Sequence, residues 1–239
     1  MSAPALETPV EANLSATAIL DHQHTEVQSL VGQLSQANPS PRAFVQAAHR
    51  YLGEKMRAVY SIDEDRPVSE TLRLNEGSCG QRMATVEALA RGYGVATRDR
   101  ALWLDRRFWF SRLPLLRFFL PARTLMPWSQ FYLESRWVDL DELFGPIDEL
   151  AANSSVKHAF TNRGESLFDA VRHMPVDFFG KLRGTQYASY DISTVVVGDG
   201  GIFDTRDDLL ARLEKKPGWF GKLLFNTLYG GRKIRRVQE

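Results

Sequence analysis

Cysteine is almost missing from this chain: 239 residues contain one, Cys79. A lone thiol excludes an intrachain disulfide framework and a cysteine-rich zinc site, and it fits a compartment that keeps thiols reduced. No basic stretch followed by an apolar run opens the chain, so residues 1–13 do not read as a secretory signal. Missing too is any apolar run of the length a membrane-spanning helix needs. Charge of one sign is not in excess: 30 Lys and Arg stand against 29 Asp and Glu, which gives no argument for a nucleic-acid partner. These absences lead us to expect a soluble, cytoplasmic protein. The turn Gly198-Asp199-Gly200-Gly201 lacks the Lys-Ser/Thr pair of a phosphate loop and the spacing of a dinucleotide fingerprint. Asp63, Glu64 and Asp65 lack the glycine and the distal glutamate of a calcium loop, and read as a solvated acidic turn. No cofactor and no metal is expected.

What is present organises around Cys79. It stands between small residues, just before Met83, Val86, Leu89 and Ala90, which recur at helical spacing and close at Gly92. The thiol therefore falls at a helix N-terminus, where unpaired N–H groups and the helix dipole favour an anion. Such a mounting lowers a thiol pKa, and the same N–H groups can hold a developing oxyanion. A lone cysteine is also, in general, a small buried hydrophobe.

The context weighs on that choice. Gly77-x-Cys79 opens the helix, Arg91-Gly92-Tyr93-Gly94-Val95 follows, and Trp128 to Leu133 and Arg136 to Leu140 form two strands joined at Glu134-Ser135. In this order the blocks resemble the transglutaminase-like family of the papain-like cysteine-enzyme superfamily, over roughly residues 45–145. The resemblance implies an α+β, papain/transglutaminase-like fold: N-terminal helices, and a nucleophile helix packed on an antiparallel sheet. It implies Cys79 as nucleophile and Asp141, leaving the second hairpin strand, as the acid of a Cys-His-Asp triad. Asp139 points to the same strand face as Asp141. Aligning Trp128 with the family's His-x-Trp puts Met126 where the histidine belongs, and a thioether can neither take nor return a proton. Gln130 stands where many relatives have Glu. Met126, Trp128 and Gln130 are expected to line the site.

Three routes follow from the missing histidine. His158 or His173, downstream, could supply a substitute base, since triads are defined by geometry. Alternatively the helix dipole and a nearby arginine such as Arg82 sustain a thiolate alone. The third is a scaffold that binds a ligand, a partner or a membrane surface without turnover. The resemblance implies Cys-dependent acyl transfer or amide/thioester cleavage on a small or peptide-like substrate, with specialised metabolism as a setting.

Along the chain we expect a disordered lead over 1–14, a core with N-terminal helices over 15–150, and a C-terminal extension packing on it over 151–239. Ile19 to Leu34 read as a helical stripe with His22 and His24 on its surface. Ser40-Pro41 is a strong helix start. Short helices are expected over 69–74, 147–152 and 166–173, a strand over 193–197, and a helix capped by Thr205. Two segments, 106–123 and 217–236, are aromatic, apolar and basic together. Each could bury its aromatics while arginine stems reach water, or make peripheral membrane contact, or line a cavity for an apolar substrate. The two could meet in one surface.

Overall fold

Pro41 sits in the first turn of a helix and the Ser40 hydroxyl accepts from the Ala43 amide, so the sequence start signal is used as written. The computed structural model describes residues 8–110, 113–116, 118–140, 143, 195–214 and 219–230. In chain order its elements begin with α1 (Thr25–Ser35), α2 (Pro41–Lys55), β1 (Arg57–Ala58), α3 (Val68–Leu74), β2 (Glu76–Gly77) and α4 (Cys79–Tyr93). They continue with β3 (Thr97–Asp105), β4 (Arg123–Leu133), β5 (Arg136–Asp139), β6 (Val196–Phe203), α5 (Arg206–Leu213) and α6 (Trp219–Leu228).

Helix α4 is the centre of the α+β architecture. Every residue from Gly80 to Arg91 is buried, because α1, α2 and α3 pack on one side and the sheet on the other. The sheet is antiparallel, in the order β5-β4-β3-β6. Phe44 and Leu52 from α2, Val86 and Leu89 from α4, and Trp128 and Phe131 from β4 meet in one fully buried core. Each such side chain contributes roughly 1.5–3 kcal/mol on leaving water, which explains why α4 holds its place although its own pattern also carries Arg82, Glu87 and Arg91.

Both ends of α4 follow sequence logic. Ser78 accepts from the Gln81 amide while the Gln81 side chain accepts from the Ser78 amide, a complete capping box. Gly94, at φ 98°, ends the helix in the left-handed conformation that glycine adopts without strain. The hairpin turn places Glu134 and Ser135 at φ 47° and 62°, the double positive φ that matches strand twist. Thr205 caps α5 by accepting from Asp208 N.

Other expectations are corrected. The stripe from Ile19 is helical only from Thr25. Before that, the Thr17 hydroxyl accepts from Leu20 N and Asp207 accepts from Ile19 N, so side chains take the amides a helix would use. His22 is buried rather than on the surface, and burial first, then Arg91, hold its imidazole below the ordinary histidine range. Within the expected lead, Glu11–Asn13 make a 3-10 turn with Asn13 buried and donating to Asp204. Gly198 to Gly201, expected as a turn, lie inside β6: a β-carbon on Gly200 would come within 2.9 Å of Ala101 Cβ, so glycine lets the strand lie close over β3. The helices expected over 147–152 and 166–173 lie outside the described residues. No helix among the described residues is long and apolar enough to cross a membrane.

Candidate active site at the start of α4

The short parallel pair β1–β2 delivers the chain to the turn that carries Cys79. Arg57 pairs with Glu76 and Ala58 with Gly77, and the next residues are Ser78 and Cys79. Cys79 is thus the first residue of α4, partly exposed, and lines a cavity of about 500 Å³. That volume falls within the range of small-molecule sites. One wall is β4, through Leu125, Met126 and Pro127; another is the loop after β1 with the start of α4; the rest includes Leu210 of α5 and both aromatic segments, with Trp109 and Leu116 from the first and Leu224 and Phe225 from α6. The two segments meet directly. Leu113 and Leu116 pack with Tyr229, and Leu115 N donates to the Tyr229 hydroxyl at 3.1 Å. Trp109 Nε1 donates to Thr124 Oγ1 at 2.8 Å, tying the first segment to β4.

Of the residues expected around the site, Met126 and Cys79 line this cavity together. Trp128 and Gln130 do not. The cavity lies at the start of β4, and at about 3.3 Å per residue Gln130 is some 13 Å further along the strand than Met126. Trp128 is fully buried in the core. Gln130 accepts from Arg98 Nε and donates to Asp139 Oδ1 at 2.8 Å, so the carboxylate beside the expected acid is engaged across the hairpin. Asp141, His158 and His173 lie outside the described residues. His22, His24 and His49 line no part of the cavity. Arg82 is buried, reaches the Leu52 carbonyl at 3.5 Å, and does not line it either. Among the described residues, no three His, Cys, Asp or Glu side chains converge as metal ligands.

The polar end of the cavity carries a residue that the sequence pattern hides. Glu64 lies in the acidic turn, yet its Oε1 accepts from Ser78 Oγ at 2.8 Å and its Oε2 is sealed from solvent. The turn is pinned to α4 by Gln81 Nε2, which donates to the Asp63 carbonyl at 2.7 Å and to Ser61 Oγ at 3.3 Å. Burial holds the Glu64 carboxyl above the ordinary glutamate range, against the opposing effects of the Ser78 bond, Arg206 and Arg66. The one signal available in the sequence was Gly80. A β-carbon there would overlap Glu64 Oε2 and approach Cδ to 2.8 Å.

Behind Cys79 lies a second, fully buried charge cluster. Arg206 donates to Glu87, to Asp99 at 3.1 Å and to Ser129 Oγ at 3.4 Å, and its Nη1 reaches the Gly80 carbonyl at 3.4 Å. Burial disfavours the guanidinium, but Asp99 and Glu87 outweigh it and raise the Arg206 pKa. Burial, with Glu87 adding to it, raises Asp99 well above the carboxylate range despite Arg206.

A cysteine opening a helix that packs on an antiparallel sheet is the arrangement the sequence resemblance implies. The family model of the transglutaminase-like superfamily matches residues 28–142, from within α1 to just past β5. Over those residues the chain carries the transglutaminase-like core of that superfamily. No curated protein and no solved structure matches it. The transglutaminase-like core supplies α2, α3, α4 and β3 to β5, whereas β6, α5 and α6 lie beyond the matched residues. Part of the cavity wall thus comes from outside the matched region.

Proposed function

We propose that the protein catalyses Cys79-dependent acyl transfer, or amide or thioester cleavage, on a small or peptide-like substrate with an apolar acyl part. The observation that carries this reading is Cys79 at the first position of α4, opening on a largely apolar cavity of about 500 Å³. The helix N-terminus favours the thiolate, and the apolar walls would hold an acyl chain with its carbonyl at the sulfur. Incubation with p-nitrophenyl hexanoate should give a burst of p-nitrophenolate and a hexanoyl adduct on Cys79 by mass spectrometry, absent in Cys79→Ala.

A second reading is favoured by Met126, which the resemblance aligns with the family histidine and which lines the same cavity: a scaffold that binds an apolar ligand without turnover. Hexanoate binding without any acylation of Cys79 would select it. Membrane contact remains a proposal of its own, supported by the exposure of Phe118, Phe119, Trp219 and Leu223 in the two aromatic segments. Sedimentation with anionic phosphatidylserine vesicles tests it. We further propose a cytoplasmic location, which the reduced thiol would suit.

A further inference from the structure

We infer that Glu64 is the proton carrier for Cys79, in the place that a histidine fills in the family pattern. The inference rests on the acyl-transfer reading above. Three observations support it.

First, Glu64 and Cys79 line the same cavity, and none of the described histidines does. Second, the hydrogen-bond directions assign the two carboxyl oxygens different tasks. The Ser78 hydroxyl accepts from Gln81 N, so its single hydrogen is the one given to Glu64 Oε1. Oε1 is therefore an acceptor, and a proton on the carboxyl belongs on Oε2. That atom is buried and has no hydrogen-bond partner among the described residues. A buried oxygen left in this state is destabilising unless something else, such as a reacting group, uses it. Third, the carboxyl lies against the first turn of α4 only because residue 80 is glycine; any side chain there would overlap it. Three groups hold the turn in place: Gln81 through the Asp63 carbonyl and Ser61, Ser78 through Oε1, and Lys222 through Asp63 at 2.5 Å.

The proton inventory closes. As the Cys79 sulfur pair forms the S–C bond to the acyl carbon, the thiol proton passes to Glu64 Oε2 and the carbonyl π pair moves to oxygen, near the first-turn amides. When the carbonyl re-forms, the bond to the leaving group breaks, and Oε2 returns the proton to that amine, alcohol or thiol. A water or amine then gives its proton to Oε2 while attacking the thioester, the S–C bond breaks, and sulfur takes the proton back. Acid–base work of this kind is most efficient when the carrier titrates near the working pH. Burial moves Glu64 towards that range, Asp63 adds to the rise, and Ser78, Arg206 and Arg66 oppose it.

The test is the pH dependence of Cys79 alkylation by iodoacetamide, alongside hydrolysis of p-nitrophenyl hexanoate, in the full chain and in Glu64→Gln. The wild-type alkylation profile should show two inflections and Glu64→Gln one, with alkylation retained and steady-state hydrolysis lowered by roughly 10²–10⁴-fold. Superposable profiles with equal turnover overturn the role of Glu64 and leave the nucleophile reading intact. An ordinary thiol profile in wild type, with no acylation by the ester, overturns the acyl-transfer reading and Glu64 with it. Should Glu64→Gln fail to fold, Ser78→Ala decides. Removing the donor to Oε1 should move the lower inflection to higher pH, and an unmoved inflection overturns the proposal.

Discussion

Arg206 Nη1 reaches the main-chain oxygen of Gly80 at 3.4 Å, one residue past Cys79. Its Nη2 is shared among Glu87 of α4, Asp99 of β3 and Ser129 of β4. A guanidinium at the start of α5 thus joins α4 to two strands of the sheet from a position beyond the superfamily match.

Arg206→Met should be among the most destabilising substitutions in the chain. It leaves Glu87 and Asp99 buried without their cation, and breaking such a cluster costs about 3–5 kcal/mol. Urea unfolding should show a lower midpoint at an unchanged slope.

Glu64→Gln should raise stability at neutral and alkaline pH and leave it unchanged in acid. The folded-state pKa of Glu64 lies above its unfolded value, so the stability it contributes is fully present below the unfolded pKa of 4.5 and is lost as pH rises through the raised folded value. Glutamine resembles the protonated form at every pH. Melting temperatures of the two proteins should coincide near pH 4 and separate as the pH rises, with wild type the lower.

Met126→His should place an imidazole in the wall of the cavity that Cys79 also lines. Hydrolysis of p-nitrophenyl hexanoate is expected to rise by about 10²-fold, with a new inflection near the histidine value of about 6.5. A variant that folds like wild type but gains no activity would count against the superposition of Met126 on the family histidine.

Acyl-chain length should be read by the wall that the two aromatic segments build. Each buried methylene is worth ≈ 0.8 kcal/mol, or about fourfold in kcat/KM, along the series acetate, butyrate, hexanoate of the p-nitrophenyl esters. Phe225→Asp, which puts a carboxylate in that wall, should flatten the series while Cys79 still reacts with iodoacetamide.

Local rules explain which of these features could be read in advance. Ser40, Glu134-Ser135 and Thr205 act through neighbours within a few residues, so these caps and turns were legible, and the helical spacing that follows Cys79 put it at the head of α4. Glu64 was not legible. Its carboxyl packs against Ser78 and Gly80, 14 and 16 residues away, whereas its sequence neighbours Asp63 and Asp65 suggest solvent. The burial of His22 and the passage of β6 through Gly198 to Gly201 likewise depend on what packs from elsewhere: Arg91 beside the histidine and Ala101 under the strand. The aromatic character of 106–123 was plain, but that Leu113 and Leu116 turn inward to meet Tyr229 is a tertiary fact.

The superfamily match stops at residue 142, yet β6, α5 and α6 enclose what the matched region leaves open. A fragment trimmed to residues 28–142 would retain the thiol, its capping box and Glu64. It would forfeit the fourth strand, the Arg206 clasp and the far wall of the cavity, exposing to water the faces those parts now cover.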